Sequence, residues 1–312
     1  MRDGGPARVE ARALFAFSPF AFPGTRCMLF SSGFAETADS GLRGNGKMSE
    51  NESVPSVMKL KLLGTGAADY DWSRFGEEGV RGSTSSLLNG HILIDCGATG
   101  LANLRRFGIP HSDIDTLLVT HSHDDHFVPE QVAELASGRR VPLAVYASPE
   151  ALAMLPDGAD VAVHPLAPGL KFRAGEFAVT ALPANHLTNI PGEQAFHFCF
   201  ESAAGNLLYA LDGAGMLKTA VRLFSQLRFD WVVTDCTMAE SGDFRIFEHS
   251  DLDMVTHLMK TLRNLKIVDG DTRVVLDHLA RTLWPESEAG RQARIAGTGF
   301  ELAFDGMELC RG

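Results

Sequence analysis

The nine residues Val119-Thr120-His121-Ser122-His123-Asp124-Asp125-His126-Phe127 constrain this chain more than any other stretch. Leu117, Leu118 and Val119 read as a buried strand, and the polar run begins where that strand would end. In an extended turn, residues two apart point to the same side, so His121 and His123 can hold one metal ion. Asp125 and His126 sit where the chain curls toward a helix and can turn onto a second. Imidazole with carboxylate suits zinc, manganese or iron better than ions that prefer all-oxygen sites. The alternative is a solvated, charged loop. Histidine is scarce, 11 in 312 residues, so four specified residues at fixed offsets arise by chance on the order of one time in a thousand at this length.

His-x-His-x-Asp-His after an apolar strand resembles the signature of the metallo-β-lactamase superfamily. The rest of the chain follows the same logic, because strand after strand ends in a metal-capable residue: Asp95, His121, His186, Asp212, Asp235 and His278. Residues at the same end of neighbouring strands converge in space. His121, His123 and His186 are expected to hold one ion and Asp125, His126 and His278 the other, with Asp212 bridging. Two ions that share one water make it a nucleophile near neutral pH. Each residue has a plainer alternative: an exposed turn histidine for His186, a turn aspartate before Gly213 for Asp212, a helix-start residue for His278. Asp95 is expected to hold the far nitrogen of a histidine rather than a metal. His91, His111, His164, His197 and His257 have no such context and read as surface or core histidines.

His249 stands apart, in Phe247-Glu248-His249-Ser250-Asp251 ahead of a helix that Ser250 is expected to cap. It is either a capping-region histidine or a general acid, since an unperturbed imidazole carries a proton near neutral pH.

The coarse order of elements supports an α/β chain. Lys59–Leu63 alternates as a half-buried strand should. Asn89-Gly90 between two apolar runs reads as a hairpin turn. The glycines of Gly64-Thr65-Gly66 lack the third glycine and the helix of a dinucleotide fingerprint. Strands predominate early in each half and helices follow, which favours sheets covered by helices on their outer faces. The 45% hydrophobic and 21% charged residues are those of a soluble globular protein. A net charge of −11 does not favour nucleic-acid backbones, and no run reaches the roughly 20 apolar residues of a membrane span. Five scattered cysteines without a Cys-x-x-Cys pair suit reduced thiols in the cytoplasm. Residues 1–57, with a Pro-interrupted apolar run at 13–22 and then a Ser/Gly/Asn/Glu stretch, are expected to be a disordered extension or an over-called start. Residues 58–312 are expected to form one domain.

Within the superfamily, the resemblance is to the phosphodiesterase branch, which includes the cyclic-phosphate phosphodiesterase of the carbon–phosphorus lyase pathway and, further off, ribonuclease Z. It rests on Leu63-Gly64-Thr65-Gly66, Leu93-Ile94-Asp95-Cys96-Gly97, Val119-Thr120-His121, Thr234-Asp235-Cys236-Thr237, His249-Ser250-Asp251-Leu252, and Gly299 to Glu308. The resemblance implies an αββα sandwich of two mixed sheets with helices outside. It also implies a dinuclear zinc or manganese centre and His249 as proton donor to the leaving group. Asp235 is expected to support the site from behind. The cysteine-rich, zinc-binding insertion of the cyclic phosphodiesterase is missing, since Tyr70 to Arg81 contains no cysteine.

The expected activity is hydrolysis of a small, cyclic phosphodiester, with Asp125 orienting the nucleophile and His249 protonating the departing alcohol. Arg81 is a candidate phosphate clamp, a surface arginine being the alternative. The competing functions are a lactonase or thioesterase, an RNA nuclease of the ribonuclease Z type, and a non-catalytic metal-binding protein. No membrane or nucleic-acid partner is expected, and a homodimer is compatible with the sequence.

Overall fold

The computed structural model describes residues 57–312; the expected extension therefore lies outside the described residues, apart from Val57. The first half supplies β1 (Met58–Gly64), β2 (Ser85–Leu88), β3 (Ile92–Ile94), β4 (Thr116–Leu118), β5 (Leu143–Ala147) and β6 (Val161–Pro165), with α1 (Gly100–Arg106), α2 (Pro129–Ala136) and α3 (Pro149–Leu152) between them. The second half supplies β7 (Lys171–Ala174), β8 (Phe177–Pro183), β9 (Phe196–Ser202), β10 (Gly205–Ala210), β11 (Trp231–Asp235), β12 (Arg273–Asp277) and β13 (Glu301–Leu302), with α4 (Lys218–Phe224), α5 (Leu252–Asn264) and α6 (Glu288–Ile295). The last strand, β14 (Glu308–Arg311), returns to the edge of the first sheet.

Two seven-stranded sheets result, ordered β14-β1-β2-β3-β4-β5-β6 and β13-β12-β11-β10-β9-β8-β7. In the first sheet, β14 to β3 pair antiparallel and β3 to β6 pair parallel. The second repeats that arrangement from its other edge, antiparallel from β7 to β10 and parallel from β10 to β13. The mixed αββα sandwich is therefore present.

Its layers follow from strands that are apolar on both faces. In β11, Val233 enters the core between the sheets while its neighbour Val232 packs outward under helices, and both are fully buried. Val275 and Val274 of β12 divide the same way, as the two-residue period of a strand requires. The inter-sheet core joins Leu60, Leu62 and Ile94 to Phe177, Phe198 and Tyr209. Outside the first sheet, Leu93 and Leu117 meet Leu104 of α1 and Val132 of α2. Outside the second, Leu208 and Leu276 meet Phe224 of α4 and Val255 and Met259 of α5.

The Asn89-Gly90 turn has φ of 49° and 80°, the double positive that a two-residue hairpin demands. The cap of α5 is displaced by one residue from the expected Ser250. Asp251 accepts from Met254 N at 2.7 Å, while Ser250 Oγ donates to Gly213 O at 2.8 Å. The two sheets meet at one end of the sandwich. There Gly66, just after β1, bridges to Leu279, just after β12, and Phe196 N donates to Thr120 O at 2.8 Å. No helix of the described residues is long and apolar enough to cross a membrane.

Candidate metal centre

The parallel strands β3 and β4 of one sheet and β10, β11 and β12 of the other all end at that junction, and sites in such sheets lie beyond the carboxyl ends of strands. Three residues there turn the chain sharply: Asp95, Asp212 and His278 have φ of 63°, 55° and 59°. This left-handed conformation costs a non-glycine residue roughly 1–3 kcal/mol and persists only where the surroundings enforce it. The loop carrying the histidine motif folds back over β3, and Gly97 is what allows it. A Cβ at Gly97 would stand 2.1 Å from Asp125 O.

Seven side chains converge. Around the first centre, His123 Nδ1 lies 3.0 Å from His121 Nε2 and 3.1 Å from His186 Nε2. Asp212 Oδ2 lies 3.4 and 3.5 Å from the same two Nε2 atoms. Around the second, Asp125 Oδ2 lies 3.5 Å from His126 Nε2 and 3.2 Å from His278 Nε2. Asp212 approaches the same pair at 3.3 and 3.0 Å. Its carboxylate thus belongs to both groups. Four donors held about 2.0–2.2 Å from one ion in a tetrahedron stand roughly 3.3–3.6 Å apart, so these spacings fit.

The protons give a stronger test. Four of the histidines spend Nδ1 on a partner behind them. His126 Nδ1 donates to Asp95 Oδ2 at 2.8 Å, and His186 Nδ1 to Glu248 O at 3.1 Å. Thr120 Oγ1 donates to Asp95 and so accepts from His121 Nδ1 at 3.0 Å. Thr237 Oγ1 donates to Asp235 Oδ1 and accepts from His278 Nδ1 at 2.8 Å. With Nδ1 spent in this way, each ring turns Nε2 inward, where a cation would take its lone pair. His126 Nε2 and Asp212 Oδ1 are buried without any hydrogen-bond partner. Lone pairs and carboxylates that face one another in a dry site repel unless cations lie between them, so this donor set fits divalent metal ions.

Charge balance agrees. Burial alone would raise the Asp125 and Asp212 carboxyls, but the facing imidazoles, His126 first, outweigh it and hold both well below the usual carboxylate range. Burial pushes His121 and His186 below the ordinary imidazole value, whereas at His126 and His278 burial is outweighed by the facing carboxylates, Asp212 first, and both are raised, a positive charge that bound cations would replace. Burial pushes Asp277 up to about 7, and its Oδ2 has no partner.

His249 is placed differently. Asp235 Oδ2 accepts from its Nδ1 at 2.8 Å, and its ring stacks on His278 with centroids 5.2 Å apart and planes 14° apart. Its side chain is 13% exposed, where those of His121, His126, His186 and His278 are 0–2% exposed. Burial opposes its charge, yet Asp235, with Asp212 and Asp125 behind, outweighs this and pushes it up to about 9; bound cations would lower that value. Asp212, Asp235, His249 and His278 also have ligand atoms close together. Since Asp235 is saturated by His249, Thr237 N and Ser250 N, that group is better read as a hydrogen-bonded support than as a third centre.

Arg81 is not among these groups: its Nη1 donates to Thr65 Oγ1 at 2.6 Å and Ala303 O at 2.7 Å. His197, with no functional context in the sequence, is buried against the centre. Its Nε2 donates to the carbonyl of Asp212 at 3.2 Å, and its ring fills the space where Gly213 would carry a Cβ. The available signal was a polar ring inside Phe196-His197-Phe198-Cys199-Phe200, a strand apolar on both faces. His91 instead meets Asp115 and Glu176 at the surface, and His164 stacks on Tyr146.

Fold and site together define a hydrolase of metallo-β-lactamase fold. The family model described as a beta-lactamase superfamily domain matches residues 91–279, and the chain belongs to that family. It is similar to the anti-Pycsar protein Apyc1 of Paenibacillus xerothermodurans, 25% identical over 211 residues that cover 59% of this chain and 77% of that one. It is also similar to ribonuclease Z of Picosynechococcus sp., 32% identical over 106 residues, 30% of this chain and 33% of the relative. Among solved structures, a diphosphatase from the PhnP family superposes with a TM-score of 0.60 at 20% identity, covering 82% of this chain and 97% of that one.

Proposed function

We propose that this hydrolase cleaves a small phosphodiester, a cyclic one above all, at a two-ion centre of zinc or manganese. The observation that carries the reading is the Asp235–His249 pair beside the two donor groups. An alkoxide leaving phosphorus needs a proton, which this pair is built to hold and deliver, whereas a thiolate leaving a thioester does not. The similarity to a ribonuclease supports a phosphorus centre, while the net charge of −11 supports a small substrate over a folded RNA.

His121, His123, His186 and Asp212 would hold one ion; Asp125, His126, His278 and Asp212 the other. When bound, such ions acidify water and neutralise charge on phosphoryl oxygens. Asp125 orients the nucleophile through its inward carboxylate. Asp235 fixes Nδ1 of His249 and stabilises its positive charge, so Nε2 presents a proton to the departing oxygen. Asp95 and Thr120 fix the rings of His126 and His121. The unpaired, buried thiols Cys96, Cys199 and Cys236 support a cytoplasmic setting.

The test measures cyclic and linear phosphodiesters beside lactones and thioesters, using metal-loaded protein and its His249→Ala variant. The variant should retain two metals. General-acid help is typically worth 10²–10⁴-fold, roughly 3–5 kcal/mol of barrier, so it should lose about that on an alkyl or cyclic ribose phosphodiester. A nitrophenyl diester, whose leaving group needs no proton, should be hurt far less. Equal losses on both, or faster turnover of lactones than of any diester, would overturn the proposal.

A further inference from the structure

The loop between β8 and β9 carries His186 near its start and Glu193 near its end. Gln194 closes its base, Nε2 donating to Ala184 O at 3.2 Å and to Ala195 O at 2.8 Å. The start of the loop is fixed to the second sheet, since Asn185 Nδ2 donates to Ala214 O at 3.0 Å and His186 Nδ1 to Glu248 O at 3.1 Å. Its end reaches the first sheet, where the Phe196 N bond to Thr120 O sets Glu193 opposite Ser122. Glu193 is half-buried, and each of its carboxylate oxygens accepts from a hydroxyl. Ser122 Oγ donates to Oε2, and Ser148 Oγ, the buried N-cap of α3, donates to Oε1 at 2.8 Å.

Ser122 stands between His121 and His123, and those two with His186 are three of the four donors at the first centre. His123 is the least supported of them. It faces inward through Nδ1 rather than Nε2, and among the described residues its Nε2 has no hydrogen-bond partner. A metal-ligating histidine ordinarily donates its other ring N–H to such a partner, and that bond sets the orientation of the ring. His123 must therefore be aimed by its backbone. Its carbonyl accepts from His126 N at 2.9 Å and Phe127 N at 2.7 Å, both within the same loop. Inward ring atoms aside, the hydrogen bond that ties Ser122 and His123 to another part of the described chain is the one from the Ser122 hydroxyl to Glu193. The later half of the motif is held by other means, since Ala98 N donates to Asp124 O and Cys96 N to His126 O, both at 2.8 Å.

We propose that Glu193 is a positioning residue for the first ion: by clamping Ser122 it aims His123, with His121, at the atom that His186 approaches from the same loop as Glu193. Hydrogen bonds to an ionised carboxylate are roughly twice as strong as neutral ones, and two hydroxyls on one carboxylate hold it to a single geometry. Glu193 belongs to neither donor group itself. Its effect is confined to the first centre, because Asp125 and His126 are fastened to the end of β3 and His278 to Thr237 without it. The inference rests on the two-ion reading of the site and adds to it the residue that shapes one of the two ion sites.

The experiment titrates the metal-free full chain with cobalt(II), read by its visible absorption, alone and against a competing chelator. Wild type should take up two ions, and the absorption lost in His123→Ala identifies the first. In Glu193→Ala that ion should bind about 10–100-fold more weakly, the usual cost of losing a group that orients a ligand, while the other keeps its wild-type affinity. Ser122→Ala should weaken the same ion by a similar factor, and it carries the test alone if the Glu193 variant does not fold. Combining the two should cost little more than either, since both remove one bond. Glu193→Gln, whose amide can accept from Ser122 and donate to Ser148 Oγ, should recover much of the affinity. Wild-type affinity for both ions in Glu193→Ala or Ser122→Ala, equal weakening of the two ions, or weakening of the ion that His123→Ala retains would overturn the assignment. A wild type that takes up fewer than two ions would count instead against the two-ion reading on which it rests.

Discussion

Replacing His197 tests whether the centre is held in shape from behind. The ring is 1% exposed, and a carbonyl can only accept, so Nε2 carries the proton given to Asp212 O. Burial depresses its pKa to about 4, which keeps it neutral at working pH. The accepting residue is the one whose carboxylate reaches both donor groups, and it is held at φ 55°. In His197→Ala the buried carbonyl loses its donor, a cost of about 1–3 kcal/mol, and removal of the ring adds a cavity cost of a few kcal/mol more. Left unsupported, Asp212 can relax from its strained backbone and swing its carboxylate away. Loss of a residue that orients a ligand typically weakens metal affinity 10–100-fold. By linkage, that removes about 1.4–2.7 kcal/mol of the stabilisation bound metal provides. Competition against a chromophoric chelator measures the affinity, and thermal unfolding with and without chelator measures the stability. His197→Gln, whose amide can donate to the same carbonyl, should recover a good part of the affinity while remaining less stable than wild type. If alanine binds metal as tightly as wild type, or glutamine is no better than alanine, the ring only fills space.

Asp212→Ala should reduce metal content, read by elemental analysis, to one ion or none and abolish hydrolysis. Chelator should then lower its melting temperature far less than that of the wild type. Asp235→Asn removes the charge that raises the His249 pKa. The alkaline limb of kcat against pH on an alkyl diester, where the protonated acid is lost as pH rises, should therefore move to lower pH; an unmoved limb would mean that another group sets it. A chain beginning at Met58 should keep two metals and most of its stability, and loss of folding on that truncation would show that residues 1–57 belong to the domain.

The convergence of the seven side chains was legible because His121, His186, Asp212 and His278 stand just beyond strand ends, and His123, Asp125 and His126 follow His121 in one short loop. A buried strand such as Leu117-Leu118-Val119 has no reason to end in histidines unless something outside the sheet binds them. The two-residue spacing of His121 and His123 already implied a shared side. What lay behind the ligands was much less visible. Asp95 and Asp235 could be expected because they also end strands, but Thr120 and Thr237 look like ordinary strand-end threonines, although their single hydroxyl protons decide which nitrogen of His121 and His278 faces inward. His197 carries a signal of its own: a polar ring in a strand buried on both faces must find a partner. After His278 the sequence offers the resemblance of Gly299 to Glu308 but no clear helix or strand. Helix α6 buries little beyond Ile295, and β13 is two residues long, so neither has a strong apolar pattern.

Asp305 shows why some of the architecture has no local signature. In sequence it is a turn residue before Gly306. In the fold its carboxylate accepts from Thr65 N, Thr65 Oγ1 and Gly82 N at 2.8–3.0 Å, joining segments more than 200 residues apart. Those bonds brace the end of β1, where Gly66 touches Leu279 and the two sheets meet. The donor groups straddle the same junction. His121, His123, Asp125 and His126 come from the first sheet, and His186, Asp212 and His278 from the second. Bound cations would therefore tie the sheets together. A binding centre built this way needs non-local braces as much as ligands. Motif reading finds the converging His and Asp residues because they lie at or just beyond strand ends; the braces lie wherever the chain happens to return.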